Sequence, residues 1–540
     1  MIIWTFQIEL LKKANLDKRQ TYGITFTELN KNDNSSSFNI SSKEVALETF
    51  SVEKSPNSSI GRQRKILTNL WKIYHQRKER IRKSLQPIKF EPVDDNILVV
   101  SVFYDTRRKN AETGSEYVRI VAISKRQTHD NLMCSFNKRQ LHEWTLADKA
   151  ELSDGHDREF GSYVYSCMVP DSLDKSPDYV YLDSLDNVES QNRLAVKLEM
   201  PKNMNSRKPL ISQNFTSMQD QGRESLNKTI LGRQLVNQNQ QGQQLSNQSE
   251  AESSQLSPLN RTTIALCVPP IYGHIPISNL VQFIEIYAML KVDHFYMYNL
   301  NISDNVLQAL KYYTNKKMLS ILPWHVPDNV NGKVWYNGQV AAIHDCLYRT
   351  MQQEFDYAVL VDLDEIIVPR NHQSIPDMLT DMESKFIMNV KTETHQKSQN
   401  TIAAFKFQSA FFNPDQMPVT NSVQRKWTLP VPRRNGLSFF NALQRTAQVS
   451  SERTKLIVRP NLIQHLGIHH VSKMLDRSAV TYEVPIQTAL INHYRPCIET
   501  TESNFNCQDT ILDDSILKFE NEVQNSYDVV INEYISQKKR

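Results

Sequence analysis

From Thr262 onward, apolar and polar positions alternate between two rhythms. "TIALCVPP" is a continuous apolar run, the mark of a strand buried on both faces. "ISNLVQFIEIYAMLK" follows with a helical period that sets Ile277, Leu280, Phe283, Ile284, Tyr287 and Leu290 on one face. The cycle repeats: "DHFYMYNL" predicts a strand, "DNVLQALKYY" a helix capped by Asp304, and "LSILPW" a strand. "NGQVAAIHDCLYRTMQQEF" predicts a further helix and "YAVLVDLDEIIVPR" a further strand. Strand and helix joined by short connections imply an α/β fold, with a mostly parallel Rossmann-like sheet and helices on both faces. In such sheets ligands bind beyond the carboxyl ends of the strands.

The pattern differs elsewhere. Residues 1–92 are rich in Asn, Ser and Lys and read as a polar, largely disordered stem. One basic helix is expected in it, Arg62 to Lys83, with Ile66, Leu70, Ile73 and Tyr74 on one face; a solvated stalk helix is favoured over a membrane-surface one. "NILVVSVFYDTRRKN" and "YVRIVAIS" open a β-rich domain assigned to 93–202. Residues 203–259, with "VNQNQQGQQLSNQSEAESSQLSP", form a low-complexity linker or insert. The catalytic domain is assigned to 260–500 and a carboxyl-terminal extension to 501–540.

Composition narrows the function. With 63 basic and 59 acidic residues among 540, the net charge of +4 excludes a chain devoted to binding nucleic acid along its length. No stretch supplies the ~18–20 consecutive apolar residues that span a bilayer. The opening "MIIWTFQIELLKK" resembles neither a signal peptide nor an anchor, so the chain is either soluble or lacks its true amino end. The six cysteines include no CxxC pair, which argues against a zinc ribbon. Cys497 and Cys507 either bridge in an oxidising compartment or stay free thiols. Asn-x-Ser/Thr sequons at Asn34, Asn39, Asn57, Asn214, Asn227, Asn247, Asn260 and Asn301 suit a lumenal protein.

The strand Tyr357–Arg370 carries the chemistry. Its apolar run leads straight into Asp362, Leu363, Asp364 and Glu365. If the extended backbone persists, Asp362 and Asp364 point to the same side. Two like charges 4 Å apart repel by roughly 4 kcal/mol at an effective dielectric near 20, and a bound cation removes that cost. Oxygen ligands favour Mn²⁺ or Mg²⁺, ions that keep positions open for a diphosphate. An Asp-x-Asp triplet alone carries nothing; its place at a strand end in a sheet of this kind does.

The stretch from Thr262 to Arg495 resembles the glycosyltransferase family 92. The resemblance lies in "NLVQFIEIYAMLKVDHFYMYN", "GQVAAIHDCLYR", "YAVLVDLDEIIVP", "KLIVRP" and "NHYRP", in the family's order and spacing. "VSVFYDTRRKNAETGSEYVRIVAIS" also matches its amino-terminal strand region, so about Asn96 to Cys497 is covered apart from the insert. His344 stands where the family usually has Asn. The resemblance implies a GT-A catalytic domain that moves a hexose, galactose in characterised members, from a UDP-sugar to a hydroxyl of a glycan or glycoprotein. It implies Golgi or secretory-lumen location with membrane association, although no span is visible in this chain.

By that mapping Asp364 is the first choice for the metal, and Asp362 for the ribose or a water-mediated metal contact. Glu365 fixes the loop. His493 and His469 are the candidates to complete the metal shell. Lys455, Arg459 and Arg495 are candidates for the phosphate oxygens. An inverting transfer also needs a carboxylate base. Glu452, Asp476 and Glu483 are available, and Glu483 is the one assigned. Asp105, Arg107 and Arg108 match the family's early motif without an assigned mechanism. Two other classes compete. Haloacid-dehalogenase-like phosphatases use an Asp-x-Asp-Gly-Thr strand end, but "DLDEII" lacks the Gly-Thr. A catalytically inactive glycan-binding relative is the other.

Overall fold

A computed structural model describes residues 88–107, 115–126, 131–136, 144–171, 173, 176–185, 193–198, 261–393, 400–414, 436–497 and 505–538, together with three short strands near the amino end. The chain divides into two compact units, Met1–Arg77 and Lys78–Arg540. In the first, the strands Trp4–Glu9, Thr21–Glu28 and Phe50–Ser51 form an antiparallel sheet. The expected helix at Arg62–Lys83 and the polar segment 203–259 lie outside the described residues.

The second unit opens with β1 (Ile97–Asp105), β2 (Tyr117–Lys125), β3 (Leu132–Ser135), β4 (Phe160–Met168) and β5 (Tyr179–Ser184). β1, β2 and β4 belong to one antiparallel sheet, and β3 and β5 to a second. The two enclose a core that includes Val102, Tyr104, Ile120, Tyr165 and Leu182. Cys134 of β3 is bridged to Cys167 of β4 across it.

The main sheet is built from β6 (Ile264–Tyr272), β7 (His294–Asn301), β8 (Leu319–Pro323), β9 (Tyr357–Leu360), β10 (Glu365–Pro369), β11 (Thr401–Phe411), β12 (Ser450–Val458), β13 (Ala479–Glu483) and β14 (Ala489–His493). Its order is β8-β7-β6-β9-β12-β11-β14-β10, with β13 also on β11. β8, β7, β6 and β9 are parallel to their neighbours, as the alternation predicts. Beyond β9 the sheet is mixed rather than mostly parallel: β12 runs antiparallel to β9 and β11, and β10 antiparallel to β14. No helical crossover is needed to join antiparallel strands, and the sequence after 400 carries no regular strand–helix rhythm.

α1 (Ile277–Met289), α2 (Asp304–Asn315), α4 (Ile375–Glu393) and α5 (Glu520–Lys538) supply side chains to the core on one face of this sheet. α3 (Gln339–Gln352) covers the other. α5 falls in the segment set apart as an extension, yet Val523, Tyr527 and Val530 are part of the core beneath the main sheet. The cap of α2 is Ser303, not Asp304: Ser303 has the extended backbone a cap requires, and its hydroxyl accepts the Val306 N–H at 3.4 Å. Asp304 instead places its charge in the first turn.

α3 is buried from Val340 to Met351 because the main sheet lies on one side and β1, β2 and β4 on the other. Its buried polar residues each have a partner inside the fold. Asp345 pairs with Arg349 at 2.6 Å and accepts the Tyr298 hydroxyl at 2.6 Å. His344 takes the Leu466 N–H on Nε2 at 3.0 Å, with Nδ1 2.8 Å from the Val340 carbonyl; burial pushes its pKa down to about 4, so it stays neutral. Cys346 is bridged to Cys267 of β6. No helix among the described residues is long and apolar enough to cross a membrane.

Candidate active site

The acidic stretch leaves strand geometry where its chemistry begins. β9 stops at Leu360, and the chain turns at Asp362–Glu365, with the Glu365 N–H donating to the Asp362 carbonyl at 3.2 Å. The turn is held from both ends. The Glu365 carboxylate accepts the Asp362 N–H at 2.9 Å, and the Tyr494 N–H donates to the Asp364 carbonyl at 2.7 Å. Beneath it the Tyr287 hydroxyl donates to the Glu365 carbonyl and accepts the Ile367 N–H, each at 3.0 Å. Asp362 and Asp364 are therefore presented by a turn rather than by alternation along a strand. This corrects the extended geometry expected from the sequence.

Each carboxylate has its own partner. Lys455, on β12, places Nζ 2.7 Å from Asp362 and 3.3 Å from Glu365. His493, at the end of β14, places Nε2 3.3 Å from Asp364 Oδ2 and Nδ1 3.8 Å from Glu365 Oε1. Cross-strand register explains the meeting: Glu365 is opposite His493, which is opposite Phe411 on its other side. The Phe411 ring stacks on the imidazole at 5.3 Å.

Burial sorts these groups. Glu365 and Lys455 are enclosed, whereas the Asp362 and Asp364 side chains are 36% and 41% exposed. Burial raises the Glu365 carboxyl, and the nearby Lys455 charge only partly opposes it. Burial also presses on Lys455, but Asp362 and Glu365 outweigh it and hold the ammonium charged. At Asp364 burial works upward too, yet His493 and the Arg495 charge prevail and hold the carboxyl below its usual range. The exposed carboxylates thus face outward on a buried, charged foundation.

The remaining candidates separate. His469 sits on a loop beside Thr454, with Nδ1 2.6 Å from the Thr454 carbonyl; burial and the Lys455 charge press its pKa down to about 4. Its imidazole is therefore neutral with Nε2 as the acceptor. Arg495 is half-buried two residues past His493 and acts on Asp364. Arg459 lies at the other end of β12, where it bonds Glu383 and covers the Tyr357 ring. Four residues of strand place it about 13 Å from Lys455, away from the turn. Glu483 is ion-paired with Lys406 at 3.1 Å, two strands and so roughly 10 Å from Lys455. Asp476 caps the Ser478 N–H at 2.8 Å, Glu285 accepts the Tyr313 hydroxyl at 2.7 Å, and Asp345 is the buried partner of Arg349.

The early motif gains a structural role that sequence reasoning had not supplied. Asp105 is buried between Arg107, at 2.7 Å, and Arg119, at 2.9 Å. Arg107 reaches on to the carbonyls of Pro460 at 2.7 Å and Ile463 at 2.6 Å. It fastens the amino-terminal β region to the segment after β12, which leads to His469.

Among the described residues no group of three or more His, Cys, Asp or Glu side chains converges as a metal cage. The donor chemistry of Asp364 and His493 nonetheless fits a divalent ion. Two donors bound side by side in an octahedron at ~2.1 Å stand about 3 Å apart, and Asp364 Oδ2 and His493 Nε2 are 3.3 Å apart. Such a site leaves several positions for phosphate oxygens and water.

The model of glycosyltransferase family 92 matches residues 262–537. A Caenorhabditis elegans protein named Beta-1,4-galactosyltransferase galt-1 is 21% identical over 428 residues, 79% of each chain. Among solved structures, Staphylococcus aureus TarS 1–349 is similar at 16% identity and a TM-score of 0.20, over 37% of this chain and 48% of that one. A UDP-glucose pyrophosphorylase complexed with UDP-glucose is similar at 10% identity and a TM-score of 0.19, over 49% and 98%. Likenesses of that size bear on neither fold nor function.

Proposed function

Because the chain belongs to glycosyltransferase family 92, we propose that it transfers a hexose, galactose first, from a UDP-sugar to a glycan hydroxyl, using a divalent ion held by Asp364 and His493. The enzyme class follows from the family; the donor, the metal and inversion are this proposal's own, with Glu483 as the assigned base. The galactose assignment leans on the printed name of the worm relative. The four parallel strands, of which β9 leads into the acidic turn, are the part of the sheet that suits a GT-A reading.

The observation that carries the proposal is the 3.3 Å approach of His493 Nε2 to Asp364 Oδ2, on a turn whose other carboxylate is already neutralised by Lys455. A Mn²⁺ ion bound there would supply Lewis-acid stabilisation to the leaving diphosphate. The chain's own residues do the rest. Lys455 fixes Asp362, leaving it positioned for a ribose or a water-mediated contact. Glu365 orients the Asp362 amide, and Arg495 adds positive charge beside the phosphate path. Lys455 serves here as a turn-ordering cation more than as a direct phosphate ligand, and Arg459 as a strut for α4.

All six cysteines are paired, as Cys134–Cys167, Cys267–Cys346 and Cys497–Cys507, which suits an oxidising lumen. Asn301, the sequon among the described residues, is exposed. Both support a secretory-pathway location, with the Golgi as the proposed station. Phosphatase chemistry has no place in a member of this family.

Asp364→Ala tests the reading. Mn²⁺-dependent hydrolysis or transfer from UDP-galactose is expected to fall at least 100-fold, with the metal-free chain still unfolding in a cooperative transition. Chelation of the native chain is expected to match it. Full turnover in Asp364→Ala refutes the metal assignment.

A further inference from the structure

Next to the acidic turn, across Phe411, lies an open cleft of about 110 Å³. Phe411 joins it to the turn, since the same ring lines the cleft and stacks on His493 at 5.3 Å. One wall is Pro496 and Cys497, which follow β14; the opposite wall is Cys507, Gln508 and Thr510. The Cys497–Cys507 bridge ties the walls together. Behind them the strand Gln444–Thr446 pairs antiparallel with Thr510–Leu512, which fixes Gln444 and Thr510 in one frame. Such a frame lowers the ordering cost of binding.

The chemistry of the lining is selective. None of the lining residues is charged; carboxamides and hydroxyls dominate. A diphosphate calls for cations and an acyl chain for an apolar tunnel, and neither is offered. The Gln444 and Gln508 carboxamides and the Thr510 hydroxyl have no hydrogen-bond partner among the described residues. Each carboxamide donates and accepts, the combination that reads vicinal hydroxyls on an uncharged ring.

We propose that this cleft is a hexose subsite, in which Gln444, Gln508 and Thr510 read the hydroxyls of a neutral sugar whose reacting end lies toward Asp364 and His493. The assignment rests on the transferase reading above. The sugar has two possible sources with the same chemistry, the donor's hexose and the acceptor's terminal residue.

The test is the Gln444→Ala/Gln508→Ala double variant of the full chain, compared with the native chain by titration. The probes are UDP with Mn²⁺, UDP-galactose with Mn²⁺, and methyl glycosides of galactose, glucose, mannose and N-acetylglucosamine. Loss of two neutral hydrogen bonds is expected to weaken sugar binding on the order of tenfold. UDP affinity and the thermal midpoint are expected to stay unchanged. A weakened methyl glycoside with UDP-galactose intact identifies an acceptor subsite. UDP-galactose reduced to the affinity of UDP identifies a donor subsite. Equal sugar affinities in variant and native chains, or no sugar binding by the native chain, overturn the proposal. Failure of UDP and Mn²⁺ to bind the native chain would instead strike the metal and donor reading, while the methyl glycosides still report on the cleft.

Discussion

Lys455→Met isolates the electrostatics beneath the turn. The substitution keeps most of the side-chain volume and removes the ammonium that lies 3.3 Å from Glu365 and 2.7 Å from Asp362. Glu365 is 2% exposed at its side chain and cannot recover hydration, whereas Asp362, at 36%, largely can. Removing one partner of a buried pair costs about 3–5 kcal/mol, and the solvated share of Asp362 sets the expectation at the lower end, ~3 kcal/mol at pH 8.

The pH dependence has a definite sign. Burial already holds the Glu365 carboxyl above its ordinary range, and loss of Lys455 raises it further. An acid whose folded pKa exceeds its unfolded one is neutral in both states at low pH and adds no cost there. Stability then falls as pH rises through the unfolded value toward the folded one. Lys455, raised in the folded state, gives its full contribution throughout this window, since that is lost only as pH climbs through its folded pKa. Urea denaturation of native and variant chains at pH 5 and pH 8, with chelator present to remove metal linkage, is expected to show a gap that widens toward pH 8. Adding Glu365→Gln is expected to recover most of the loss. A gap of equal size at both pH values, or below ~1 kcal/mol at pH 8, refutes the reasoning.

Two further outcomes follow from the architecture. Arg107→Met strips a donor from the Pro460 and Ile463 carbonyls and leaves Asp105 with Arg119 alone; a loss of about 3 kcal/mol is expected, with limited proteolysis accelerated between residues 460 and 470. Replacing both Cys267 and Cys346 with Ala opens a closed loop of 79 residues; the chain-entropy relation gives a loss of about 4–5 kcal/mol, read from the urea midpoint.

Local pattern carried a large part of the fold. The strands at Ile264, His294, Leu319 and Tyr357 and the helices between them were legible because each period lies within one segment. β12 and β14 were harder, since the sheet turns antiparallel where no helix separates strand from strand. The cap at Ser303 was missed by one residue because Ser and Asp adjoin and both suit a cap. The cation candidates illustrate the limit most clearly. Lys455 and Arg459 are four residues apart on one strand, yet one lies under the acidic turn and the other binds Glu383 at the far end.

The sequence by itself determined that an apolar strand ends in Asp362, Asp364 and Glu365, and that this end falls where an α/β sheet places its ligands. Periodicity and strand direction are properties of contiguous residues. Only the tertiary structure decided that Lys455, 93 residues later, neutralises Asp362, that His493 meets Asp364, and that Glu365 turns inward between them. Those meetings depend on strand order and register across the sheet, which bring distant residues within a few ångströms and which no local pattern encodes.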